Sequence, residues 1–409
     1  MRKVIEINEL RNVALKLRPD TSVQTIVSES EKMYEAIKLY GVKSISMQYL
    51  ENDFLRVRTN GENSPAEVRS LAAYIMMNLL QMSDSATSVG RLQRHYGNIL
   101  IESTVGYKLG LKHSEVTEKS ILEIVEQYCN KKDSLEQINE VFTQELYELI
   151  VKHNPDISLM YLWAECENFY KSIVTVGFQN TVCCVNNGSS KIIMRGSEIP
   201  ERMRAFVVTV IAYMYQLRDK VYLDGLRKRF MLASNENVIL GDTGIFENEN
   251  YNSLGNIVGR YLGKDFAGRV AEKPILMQIP YDVVEKKIFN PEDFESTELL
   301  WVALEAFYKI SKINGVNNIR VRYVDASGKD ISQRGNEVPL RIRAICEESV
   351  IYMYRIDDSD ESRTRLDKYL GLDYPSKLIL SNTKAVVARG SSMPCISFTT
   401  LIKRYLEDA

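Results

Sequence analysis

The 409-residue sequence is poor in the residues that build common reaction centres. It holds only three histidines, His95, His113 and His153, too few for a histidine-rich metal site and at no suggestive spacing from an acid or nucleophile. Its six cysteines, Cys129, Cys166, Cys183, Cys184, Cys346 and Cys395, include no C-x-x-C spacing, which argues against zinc and dithiol motifs and fits a reduced, cytoplasmic setting. Cys183 and Cys184 are adjacent, so on a strand they would point to opposite faces as small fillers; a redox pair is the alternative reading.

An excess of charge is also missing. The 52 Lys and Arg residues are balanced by 54 Asp and Glu, for a net charge of -2, so no global basic field advertises a nucleic-acid or membrane partner. Long apolar runs are absent too: the longest, AFVVTVIAYMY from Ala205 to Tyr215, is too short to span a bilayer and suits a buried helix. The charged start, MRKVIEINELRN, has no apolar core behind it, which argues against a secretory leader. Phosphate-loop, dinucleotide, serine-hydrolase and zincin signatures do not occur. The sequence therefore assigns no catalytic residue, no metal ligand and no cofactor, and it leaves the oligomeric state open.

What it does contain is internal similarity. Residues 195 to 205, RGSEIPERMRA, and 334 to 344, RGNEVPLRIRA, agree at seven of eleven positions. Upstream, WAECENFYKSIVTVG runs from Trp163 to Gly177 and WVALEAFYKISKING from Trp301 to Gly315, with the same spacing. A more diverged version, VSESEKMYEAIKLYG, ends at Gly41 and is followed by NGENSPAEVRS, where Gly61, Pro65 and Arg69 match Gly196, Pro200, Arg204 and Gly335, Pro339, Arg343. Downstream, short apolar runs at 98–104, 236–243 and 376–383 each precede a helical pattern closing on Tyr128, Tyr261 or Tyr405. The expected fold is α+β: three tandem diverged units of about 135–144 residues, each a small antiparallel hairpin or sheet packed with helices, in a bent row or a pseudo-threefold arrangement. The expected bounds are 1–149 for the most diverged unit, 150–292 and 293–409, with polar or helical connectors near 133–157 and 266–294.

Within one unit, an aromatic-rich amphipathic helix stops at a glycine, a hairpin follows, glycine at positive φ turns the chain, and proline occupies the first position of a long buried helix. Glu198 and Arg202, like Glu337 and Arg341, are four apart and are expected to pair across the first turn of that helix. Glu31, Glu167 and Glu305 recur on the first helix, and Arg69, Arg204 and Arg343 near the start of the long one. Intra-unit salt bridges between them are expected, with three charged ligand pockets as the alternative.

Candidate binding residues are the outer arginines Arg195 and Arg334, each beside a helix start suited to a phosphate or carboxylate, together with Arg202 and Arg341. A second candidate is the basic segment containing Arg227, Lys228 and Arg229, where Tyr222 and Phe230 interleave with the charges as on a phosphate-contacting surface. An ordinary solvated helix face would read the same way. The pattern points to a non-enzymatic binding or scaffold protein that engages a protein partner, or nucleic acid, through repeated surfaces, away from membranes. The alternative is an enzyme acting on a nucleotide or nucleic acid at an inter-unit interface.

Overall fold

The computed structural model describes residues 3–17, 21–51, 55–82, 86–97, 99, 119–130, 137–188, 190–217, 220–232, 253–263, 276–279, 294–324, 327–354, 356, 360–372 and 397–407. They form a mixed α+β chain, dominated by helices, with small sheets. In chain order the elements are β1 (Lys3–Glu6), α1 (Asn8–Ala14), α2 (Val23–Tyr40), β2 (Ile45–Glu51), β3 (Leu55–Asn60), α3 (Ala66–Leu79), α4 (Ala86–His95) and α5 (Ile121–Tyr128). Next come β4 (Asn139–Phe142), α6 (Gln144–Ile150), α7 (Leu159–Val176), β5 (Thr181–Asn187), β6 (Ser190–Arg195), α8 (Glu201–Met214), α9 (Lys220–Arg229) and α10 (Leu254–Tyr261). The chain continues through β7 (Leu276–Ile279), α11 (Phe294–Asn314), β8 (Arg320–Val324), β9 (Asp330–Arg334), α12 (Leu340–Tyr354), α13 (Asp360–Leu370) and α14 (Phe398–Glu407). Two compact units result, Met1–Ile157 with Ala164–Asp242 and Ser158–Trp163 with Thr243–Ala409. Among the described residues no helix is long and apolar enough to cross a membrane.

Each of the three sheets has a central strand paired parallel on one side and antiparallel on the other, in the orders β1-β2-β3, β4-β5-β6 and β7-β8-β9. The hairpins β5–β6 and β8–β9 lie where the alternating runs FQNTVCCV and KIIM, and IRVRYV and IS, separated by turn residues, predict them, and β2–β3 occupies the matching place after Gly41. The parallel strands β1, β4 and β7 are not evident in the sequence, and two of them correct the expected connectors: β4 and β7 fall inside 133–157 and 266–294, yet complete a sheet with the hairpin that follows. Only four residues long, they carry too little alternation to stand out.

The joint between hairpin and long helix follows from glycine and proline. Glycines close the first helices at positive φ: 83° at Gly41, 89° at Gly177 and 84° at Gly315, as the pattern predicts. Gly196 turns the chain at φ 52°. Gly335 corrects the expectation of positive φ there: a Cβ on it would instead overlap the Val316 carbonyl oxygen, so close backbone approach demands glycine. Proline stands one residue earlier than expected. Pro65 and Pro200 cap α3 and α8, and their carbonyls accept the first helical bonds, from the Arg69 and Arg204 amides at 3.3 and 3.2 Å. Helix α8 then buries every residue from Met203 to Met214, the sequence's longest apolar run becoming a core helix. Phe169 on α7 meets Phe230 edge-on, with ring centroids 5.7 Å apart.

The apolar runs at 98–104, 236–243 and 376–383 lie wholly or mostly outside the described residues, as do His113 and Cys395.

Candidate functional site

Arg69, Arg204 and Arg343 do not pair with Glu31, Glu167 and Glu305, which corrects the expected salt bridges. Each arginine is buried and spans two pieces of backbone. Arg204 donates from Nε to the Ile199 carbonyl at 3.2 Å and from Nη1 to the Phe230 and Met231 carbonyls, both at 2.7 Å. Arg343 bridges Val338 to Leu370 and Gly371 in the same way, and Arg69 bridges Ser64 to Tyr96 and Gly97. Carbonyls at a helix C-terminus lack intrahelical donors and carry partial negative charge, so a guanidinium completes them. The glutamates find lysines instead: Glu31 lies 3.0 Å and Glu167 4.0 Å from Lys171, and Glu305 lies 3.1 Å from Lys309.

The predicted pairs Glu198–Arg202 and Glu337–Arg341 also do not form. Each glutamate sits in a short 3-10 turn before the proline, outside the helix whose spacing the expectation assumed. There its carboxylate accepts the backbone N–H of Arg195 or Arg334, in both cases at 3.0 Å. Arg202 and Arg341 remain exposed on the first turns of α8 and α12.

The basic segment on α9 separates in space. Arg229 is buried, hydrogen-bonded to the Asn78 side chain and the Lys119 carbonyl at 3.5 and 3.4 Å, so it is no surface contact. Phe230 is a core residue. Arg227 lies 3.3 Å from Asp224, and of the three cations Lys228 alone is exposed. Amphipathic packing divides the run: Leu226, Arg229 and Phe230 face inward at helical spacing.

The outer arginines behave differently from each other. Arg195 is tied down, its Nε donating to the Gln179 carbonyl at 2.9 Å and its Nη2 reaching Asn180 Oδ1 at 3.5 Å. Arg334 forms no side-chain hydrogen bond or ion pair among the described residues, and directly across the sheet it faces Arg320. At the same register, Arg195 faces Val182 and Asn60 faces Ser46. Nearby, Asn314, Asn317, Asn318, Asn336, Asn256, Ser253 and Lys368 line a cleft of about 480 Å³ with no carboxylate or imidazole among its described lining residues.

The solvent-facing sides of the three sheets carry different chemistry. On the first, Arg56 and Arg58 stand exposed on β3. On the second, Phe142 and Ile193 flank Cys184 in one cross-strand row, one on each side of β5, and are 50% and 56% exposed. On the third, Arg320, Arg322 and Arg334 project together. Cys183, by contrast, points inward with its thiol pushed up to about 12 by burial, and Cys184 donates to Glu140 at 3.6 Å, so the vicinal pair fills space as a strand pair should.

Two further carboxylates were hidden from sequence reasoning. Glu29 accepts the N–H groups of Glu9 and Leu10 at 3.3 and 2.8 Å, and Glu165 those of Glu145 and Leu146 at 3.1 and 2.9 Å. Each thus caps the start of a neighbouring short helix, α1 or α6, whose own N-cap residue makes no side-chain cap. Burial pushes both carboxyls up to about 7 despite these bonds. Their identical offset from Gly41 and Gly177, twelve residues, was the available signal. Comparison with protein-family models, curated proteins and solved structures finds no match to this chain.

Proposed function

We propose that the chain is a non-enzymatic binding or scaffold protein made of three diverged copies of one α+β unit, each offering the outer face of its sheet to a partner. One observation carries this reading: the three sheets share strand order while their solvent-facing residues differ, apolar Phe142 and Ile193 on one, Arg320, Arg322 and Arg334 on another. A retained frame with altered faces suits several contacts made at once, and linked contacts raise apparent affinity through effective concentration without new chemistry. The repeated arginine clamps support a common frame. The apolar face favours a protein partner and the basic face nucleic acid. Free thiols at the five described cysteines are compatible with the proposed cytoplasmic location.

The test is capture of partners from the native host by the full chain, with and without nuclease, compared with face variants F142S/I193T and R320A/R334A. This reading expects each variant to lose a distinct set of partners. Identical recovery by all three proteins contradicts it.

A further inference from the structure

We infer that the outer face of the third sheet binds the phosphodiester backbone of nucleic acid, with Arg320 and Arg334 holding phosphate between them and Arg322 extending the contact. The inference rests on the proposed reading of sheet faces as partner surfaces and names the ligand of one of them.

The geometry of the pair comes first. Arg320 and Arg334 are direct cross-strand neighbours. The flanking bond, from the Gly335 N–H to the Ile319 carbonyl at 3.0 Å, makes theirs a non-hydrogen-bonded pair, the kind in which opposing side chains approach more closely. Two like charges in that position cost stability unless an anion lies between them. Both side chains are exposed, and neither guanidinium has a hydrogen bond or ion pair among the described residues. Arg322 projects from the same face, two residues or about 7 Å along the strand, where it pairs with Asp330. Among the described side chains, three guanidiniums and one carboxylate leave this face with a net positive charge.

The chemistry of the face then selects the ligand. Among the side chains described, its exposed residues are Arg320, Arg322, Asp330, Ser332 and Arg334, none apolar or aromatic. Tyr323 points inward, its hydroxyl donating to Gln333 Oε1 at 2.6 Å. Forked cations, not an apolar anchor of the kind that usually centres a protein interface, dominate these described side chains. Among the described side chains no exposed ring offers a platform for stacking bases. What remains is forked donors in a row, matched to phosphate oxygens repeated along a chain, a sequence-independent contact. The other sheets do not repeat the pair. Arg195 is engaged by Gln179 and Asn180, and the first sheet has Ser46 and Asn60 at that register.

The test titrates the full chain into two labelled probes, single-stranded poly(dT) of about 20 nucleotides and a duplex of equal length, by fluorescence anisotropy between about 50 and 200 mM salt. The expected result is salt-dependent binding to at least one probe. Arg320→Ala and Arg334→Ala should each weaken it and lower the log–log salt slope by about 0.7 on the single strand or 0.9 on the duplex. Arg195→Ala should bind like the wild type. R320K/R334K should keep the slope but bind more weakly, because lysine cannot make the forked contact. Thermal unfolding of R320A/R334A at or above the wild-type temperature shows that the frame survives. No binding to either probe overturns the inference, as does wild-type binding by R320A/R334A or binding confined to phosphatidylserine vesicles or polyglutamate. If nucleic acid does not bind but face variants still lose distinct partners, the inference falls and the binding reading stands; if recovery is also unchanged, both fall.

Discussion

Arg204 holds the end of another helix: its Nη1 donates to the Phe230 carbonyl at 2.7 Å, just past the last residue of α9. The same guanidinium also binds Ile199, in the turn that precedes α8. A single buried side chain thus fixes where one helix starts and the next one stops. Arg69 and Arg343 do the same, with Tyr96 and Leu370 as the partners.

Removing this clamp leaves buried carbonyls without donors. Arg204→Ala is expected to destabilise the protein by about 3 kcal/mol. Arg204→Lys should recover only part of that, since an ammonium cannot reproduce the fork. Arg202→Ala, on the exposed side of the same helix, should stay within about 0.5 kcal/mol of wild type. Urea unfolding of the three variants checks the contrast.

Glu29 and Glu165 should make stability depend on pH. Their folded-state values, about 7, lie above the ordinary 4.5, so the fold favours the protonated form. Their favourable contribution is therefore complete below about pH 4.5 and lost as pH rises through 7. The stability advantage of wild type over E29Q/E165Q should shrink steadily from acid to mildly alkaline solution. A pH-independent difference would contradict the assignment.

Gly335 is expected to tolerate no side chain. Gly335→Ala forces a Cβ into the Val316 carbonyl oxygen and should cost about 2 kcal/mol, measured by thermal unfolding. Gly188→Ala meets no atom within 4 Å, so at φ 66° it bears only the backbone strain. It should cost about 1 kcal/mol.

Phe142 and Ile193 contribute little to folding because both are half exposed. F142S/I193T should unfold within about 0.5 kcal/mol of wild type while losing its captured protein partners. A large loss of stability would make these residues part of a core instead of a contact surface.

The local grammar of the fold was legible. Glycines at 41, 177 and 315 end helices, prolines at 65, 200 and 339 precede them, and the run from Ala205 to Met214 is buried. Partnerships at a distance were not. Arg204 answers to backbone carbonyls, which every residue carries, so no letter in the sequence marks them. Glu165 caps a helix that begins some twenty residues earlier, a relation that only folding brings about. Arg229 reads as one cation in a basic run until helical packing turns it inward. Arg334 could be singled out from its motif, but its neighbour Arg320 emerged only with the strand register, because facing residues across a hairpin depend on where the turn closes.

The central claim, that the sheet faces are the contact surfaces, is tested most directly by photo-crosslinking in the native host. A benzophenone amino acid is placed in turn at the positions of Ile193, Ser332 and Arg202, and the adducts are identified by mass spectrometry. Adducts with distinct partners from the positions of Ile193 and Ser332, and few from that of Arg202, are the predicted result. Equal yields at all three positions, or adducts only from Arg202, would contradict it.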